Sequence, residues 1–237
     1  MISKLNLENI LFLDIETVPE VENFKDLDNT KQELWESKSK YQRREDYSAE
    51  KFYDHAGIWA EFGKIICISV GYFKMEGDIR TFRVTSFYGD EIKILKDFKN
   101  ILISHFNQQK HLLCAHNGKE FDFPFLSRRI LINGLKLPKL LDIAGKKPWE
   151  VNHLDTMELW RFGDYKNYTS IKLLAALFGI PTPKDDIDGS QVARVYWEEN
   201  DLERIKTYCQ KDTLTVAQLL LKYKGQNLIK EENIEFV

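Results

Sequence analysis

Residues 9–20 read Asn-Ile-Leu-Phe-Leu-Asp-Ile-Glu-Thr-Val-Pro-Glu, an apolar run that ends in two acids with only Ile15 between them. Residues 9–16 have the pattern of a buried strand. Alternation puts Phe12, Asp14 and Glu16 on one face and Leu11, Leu13 and Ile15 on the other, with the two carboxylates about 7 Å apart. A charge taken out of water must be paired or bound to a metal. A strand that simply ends in solvent would carry the same pair, so Asp14 and Glu16 alone leave both readings open.

The bulk composition excludes more than it assigns. Of 237 residues, 43% are hydrophobic and 30% charged, and 34 basic against 37 acidic side chains give a net charge of −3. A dedicated nucleic-acid binder usually carries a basic domain with a pI above about 9, which leaves room only for local grip on a strand. Cys67, Cys114 and Cys209 lie in apolar stretches and read as reduced core thiols of a cytoplasmic protein. The start has no secretory h-region and no run approaches the roughly 18 apolar residues of a membrane span, so no membrane partner is expected.

The chain reads as a single domain over 1–237. Residues 20–62 are dense in charge and poor in Val and Ile, and are expected as surface helices inserted after the first strand. Two β-rich stretches, 63–73 and 79–89, are joined through Gly77-Asp78 as a hairpin, and helical spacing follows at 90–106. A short strand is expected at 111–117 and a helix from about Pro124, then irregular chain at 135–168. Helices are expected near 170–178, near 189–199 and from Asp201 to Tyr223. Interleaved strands and helices of this kind imply an α/β layer fold with a mixed sheet.

The last helix carries the sharpest anomaly. Its apolar stripe runs through Ile205, Tyr208, Cys209, Val216, Leu219 and Leu220, and the position between Cys209 and Val216 on that stripe is Asp212. Tyr208, four residues earlier, lies beside it. A buried Arg or hydroxyl capping Asp212 is the alternative. Asp122 reads most simply as a helix N-cap ahead of Pro124, and Asn117-Gly118 as a turn. If Asp14, Glu16, Asp122 and Asp212 converge at about 6 Å, each pair repels by roughly 3 kcal/mol at an effective dielectric near 20. Six such pairs rival the whole stability of a typical domain, about 5–15 kcal/mol. Protonation or divalent cations would relieve them, and an all-oxygen donor set suits Mg²⁺ or Mn²⁺.

Taken in order, Asp14-Ile15-Glu16, Asn117-Gly118-Lys119-Glu120-Phe121-Asp122 and Tyr208-Cys209-Gln210-Lys211-Asp212 resemble the motifs of DEDD-type 3′–5′ exonucleases. Tyr208, with Thr207 where the histidine branch would have His, resembles the DEDDy branch. The nearest resemblance is to stand-alone bacterial exonucleases similar to family B polymerase proofreading domains. Residues 153–160 and 173–192 look like that group's connecting segments, and the likeness runs from about residue 9 to 222, least of all in the 20–62 insertion.

The resemblance implies a ribonuclease H-like fold, a five-stranded mixed sheet flanked by α-helices, and two divalent cations, Mg²⁺ or Mn²⁺. It implies metal ligation by Asp14, Glu16, Asp122 and Asp212, and a Tyr208 hydroxyl that orients the attacking water, since a phenol of pKa about 10 is a poor base. It further implies a partner, the 3′ end of single-stranded DNA, shortened to nucleoside monophosphates. Asn117, Phe121 and Lys119 are the candidate substrate-binding residues. Arg128, Arg129 and Lys211 are either phosphate contacts or ordinary surface, Phe123 and Phe125 read as core, and Asp155 as structural. Asp185, Asp186 and Asp188 lack the distal Glu of a calcium loop and read as a turn. An RNase D-like exoribonuclease and a silent nucleic-acid-binding or polymerase accessory module are the competing functions.

Overall fold

The computed structural model describes residues 2–44, 46–164, 166, 168–181 and 187–237. Its first half contains β1 (Ile10–Pro19), α1 (Asn29–Ser39), α2 (Ala49–Phe52), β2 (Gly63–Glu76), β3 (Ile79–Tyr88) and α3 (Glu91–Ser104). Then follow β4 (Leu112–Ala115), α4 (Asp122–Ile132), β5 (Leu154–Asp155), α5 (Thr156–Arg161), α6 (Ile171–Leu177), α7 (Val192–Arg194), α8 (Leu202–Tyr223) and β6 (Ile234–Phe236). The strands form one mixed sheet in the order β5-β4-β1-β2-β3-β6. β1 runs antiparallel to β2 and parallel to β4, β2 is antiparallel to β3, and β4 is parallel to β5.

β1 is apolar on both faces and therefore lies near the centre of the sheet with helices above and below. Leu11, Leu13 and Ile15 pack with Leu95 and Phe98 of α3 and Phe123 and Leu126 of α4. Ile10 and Phe12 face the opposite layer, with Val216 and Leu220 of α8. This is the expected α/β layering, a mixed sheet flanked by helices. A sixth strand goes beyond the expected five: β6 pairs in parallel with Phe82–Val84 and covers the outer edge of β3. Gly77, at φ +62°, makes the tight β2–β3 turn that a side chain would strain.

Three boundaries differ from expectation. Residues 135–168, expected as irregular, contain β5 and α5, because a two-residue strand is too short to show a period. The helix expected near 189–199 is the single turn α7 followed by a π-helical turn, Val195–Glu199, that ends on Asn200 at φ +53°. The insertion is more than surface helix. Trp35 is fully buried among Phe52, Tyr53, Trp59 and Phe62, and its Nε1 donates to the Ala49 carbonyl at 2.8 Å. Aromatics scattered through charged sequence give that segment a small core of its own.

A β-bulge interrupts the β1–β2 ladder. Glu16 pairs with Cys67 and Thr17 with Ile65, so Ile66 is left over as the extra residue.

Candidate active site

Three elements meet at the carboxyl end of β1, and the ladder decides where. β4 pairs with β1 only at Ile10–Phe12, so that edge is open beyond Phe12. The first turn of α4 fills the opening and brings Asp122, 3% exposed, toward the Ile15 amide. The helix cap is Phe121, not Asp122, which removes the capping explanation for this acid. From the other layer α8 crosses over Asp14: Thr213 donates its hydroxyl to the carbonyl of Ser69, the residue opposite Asp14 on β2, at 3.3 Å. Asp212 is half-buried beside that contact.

The carboxyls interact strongly. Burial first, then the charges of Asp212 and Asp122, raise Asp14 well above the usual carboxylate range. Burial, then Asp14 and Asp212, do the same for Glu16. Burial pushes Asp122 up to about 8, Asp155 adding to it while the amides of Asp122 itself and Ile15 pull the other way. Tyr208 is also raised, by burial and then by Asp212, Glu16 and Asp14, and its hydroxyl faces Asp212. Among the described residues no lysine or arginine forms an ion pair with Asp14, Glu16 or Asp122.

An all-carboxylate site that raises its own pKa values, without a neutralising base on three of its four acids, fits hard divalent cations. One softer donor stands in the same place. Cys209 Sγ and one oxygen each of Asp14 and Glu16 lie within 4.8 Å of one another, and the thiol donates to the Asp14 carbonyl at 3.3 Å. The cysteine read from sequence as a plain core residue therefore lines the acids. Its place in the apolar stripe gave no sign of this, since a thiol there reads as a small hydrophobe.

The second motif is held by Asp155, at the end of β5. Its carboxylate accepts the amides of Asn117 at 2.9 Å, Lys119 at 3.1 Å, Met157 at 2.9 Å and Glu158 at 3.3 Å, a purely structural task. Asn117 takes φ +62°, and its Oδ1 is buried without a partner. Gly118 permits close packing, because a Cβ there would sit 2.5 Å from that of Ala115. Phe121 is half-buried, 5.3 Å from the Phe125 ring, while Phe123 and Phe125 are core. The Lys119 ammonium pairs with Glu158 at 2.6 Å.

Arg129 is removed from the phosphate-binding candidates. It is 6% exposed and held to Glu91 by Nε at 2.8 Å and Nη2 at 2.5 Å. Arg128 is exposed and Lys211 half-buried. Asp188 makes the expected turn, accepting the Ser190 amide at 2.9 Å; Asp185 and Asp186 lie outside the described residues.

The sequence profile of a family described as predicted 3′–5′ exonucleases related to the exonuclease domain of PolB matches residues 58–232. A DNA polymerase from Pyrococcus horikoshii is 25% identical over 174 residues, which are 67% of this chain and 14% of the polymerase. The structure of the family B DNA polymerase from the hyperthermophilic archaeon Pyrobaculum calidifontis aligns with 90% of this chain and 24% of its own, at 16% identity and a TM-score of 0.49. The chain thus spans a small part of the polymerases it matches. Among the described residues no helix is long and apolar enough to cross a membrane.

Proposed function

The chain belongs to the family of predicted 3′–5′ exonucleases related to the exonuclease domain of PolB, and from that premise we propose that it hydrolyses single-stranded DNA from the 3′ end. The observation that carries this reading is the meeting of Asp14, Glu16 and Asp122 with Asp212 and Tyr208 at one end of β1. Asp14, Glu16 and Asp212 would hold one divalent cation, and Asp14 with Asp122 a second. Mg²⁺ or Mn²⁺ held there would supply Lewis-acid activation of water and charge neutralisation at the leaving 3′ oxygen.

The chain's own residues do the rest. Asp14 would be the shared ligand, since the charges of both Asp212 and Asp122 reach it. Tyr208 keeps its proton at neutral pH, so its hydroxyl orients the attacking water rather than deprotonating it. Asn117, half-buried in the same loop, would meet the terminal nucleotide only if its side chain turned outward, since its Oδ1 is buried without a partner. Phe121, half-buried beside that loop, provides a ring edge for the terminal base, and the Lys119 backbone fixes the loop through Asp155.

A 5′-labelled single-stranded DNA oligonucleotide incubated with Mg²⁺ or Mn²⁺ tests this directly, beside an RNA of the same sequence. A ladder shortening from the 3′ end, abolished by EDTA and by Asp14→Ala, is the expected result. Intact DNA after prolonged incubation with either metal would overturn it, and faster loss of the RNA would reassign the substrate.

A further inference from the structure

We infer that Lys64, cradled by Tyr196 and Trp197, is a phosphate-binding subsite for the substrate strand just beyond the carboxylates; the inference rests on the nuclease reading for its substrate and on geometry for its place. Lys64 pairs with Val18 in the β1–β2 ladder, and Val18 lies two residues past Glu16. Residues directly opposite in an antiparallel pair share a face, as do residues i and i+2 of a strand. Lys64 therefore stands on the Glu16 face, about 7 Å further along the strand.

The bulge is what turns it there. Cys67 is opposite Glu16 on the same face, and Lys64 is three residues from Cys67, an odd number. In a regular strand that spacing would send Lys64 to the opposite face. The extra residue, Ile66, restores the parity. Bulges next to active sites commonly re-aim a side chain in this way.

The lysine is then held without losing its charge to a partner. Its Nζ lies 4.2 Å from the Trp197 ring centroid and 5.0 Å from that of Tyr196. The two rings meet edge to face at 4.9 Å. They come from the π-helical turn Val195–Glu199 and pack against the apolar cluster that includes Val18, Cys67 and Tyr208. Among the described residues Lys64 makes no ion pair, and Trp197 Nε1 is buried with no partner. Aromatic rings orient an ammonium through their quadrupole but do not neutralise it. A polyanionic strand approaching four carboxylates needs such a cation at the rim, and π-turns recur at functional sites.

Binding is read by fluorescence anisotropy of a 5′-fluorescein-labelled single-stranded DNA oligonucleotide in EDTA, across a salt series, so that no turnover intervenes. Removing one phosphate contact on a single strand should lower the slope of log affinity against log salt by about 0.7. Lys64→Gln is expected to show that change with about fivefold weaker binding at low salt, and Lys64→Arg to restore the slope. Trp197→Phe, which keeps a ring under the ammonium, should retain most of the slope. A wild-type slope in Lys64→Gln, or a loss confined to its melting temperature, would overturn the subsite and reduce the cradle to a structural strut. Absence of wild-type binding would overturn it too. Because binding is measured without metal, a protein that binds through Lys64 yet cleaves nothing would refute the nuclease reading alone.

Discussion

At the residue scale the site is defined by the cost of its own acids. Asp122 is shifted from 3.8 to about 8 chiefly by burial, and at about 1.4 kcal/mol per unit its ionisation opposes folding by an order of 5 kcal/mol. A carboxyl whose folded pKa is raised binds more protons folded than unfolded, so its penalty is absent below the unfolded value and grows as pH rises toward the folded one. The metal-free protein is therefore expected to melt higher at pH 5 than at pH 8.5, with Mg²⁺ closing the gap at pH 8.5. Thermal scans with and without EDTA measure this, and greater metal-free stability at pH 8.5 would contradict it. Tyr208→Phe should slow turnover by about tenfold to a hundredfold, the cost of a misplaced reactant, while leaving metal affinity by calorimetry unchanged. A weakened metal isotherm would assign the hydroxyl to ligand support instead. In sequence Asp212 stood out as an acid where the period demands an apolar residue, and Tyr208 by lying four residues before it, whereas Asp122 by itself read as a helix N-cap. Cys209 was hidden, because a thiol in an apolar stripe looks like any small hydrophobe.

At the scale of elements, what binds the layers is polar as well as apolar. Glu91 on α3 accepts the Ile65 amide of β2 at 2.8 Å, the Arg129 guanidinium of α4 and the Asn133 amide at 3.0 Å, so one carboxylate joins two helices to the sheet. Arg129→Met should leave that carboxylate without its cation and cost about 3–5 kcal/mol. Adding Glu91→Gln keeps an acceptor for Ile65 and should recover much of the loss, as urea titrations would show. Additive losses in the double variant would mean that the pair is not the source. Helices with clear periods, such as α3 and α8, were legible in sequence to within two residues, while β1 was recognised but runs on to Pro19, three residues past its expected end. β5, the π-helical turn and the bulge were not. Each is set by a partner strand or helix elsewhere in the chain, and the alternation of β2 carries no mark of the extra Ile66.

At the scale of the whole molecule, the sheet ends on β6, whose Arg83–Glu235 pair at 2.6 Å and Val237 amide bond to Val84 at 3.0 Å close the edge of β3. Removing residues 230–237 should expose that edge, cost about 2–4 kcal/mol in lost hydrogen bonds at about 1 kcal/mol each, and promote self-association. Light scattering beside a melting curve would check both, and an unchanged mass with an unchanged melt would make β6 dispensable. The expected layering of the fold was legible because β1 is apolar on both faces. The covered edge was not, since a three-residue strand has no period to read. The insertion at 20–62 has a further, optical meaning. Of the chain's five tryptophans, Trp35 and Trp59 lie 4.9 Å apart in its aromatic core, and none stands in a strand. Tryptophan emission, excited selectively, thus reports on the insertion and on the helices and loops around the sheet, with no reporter in a strand. An emission change without a matching loss of strand dichroism would mark the insertion opening as a unit of its own.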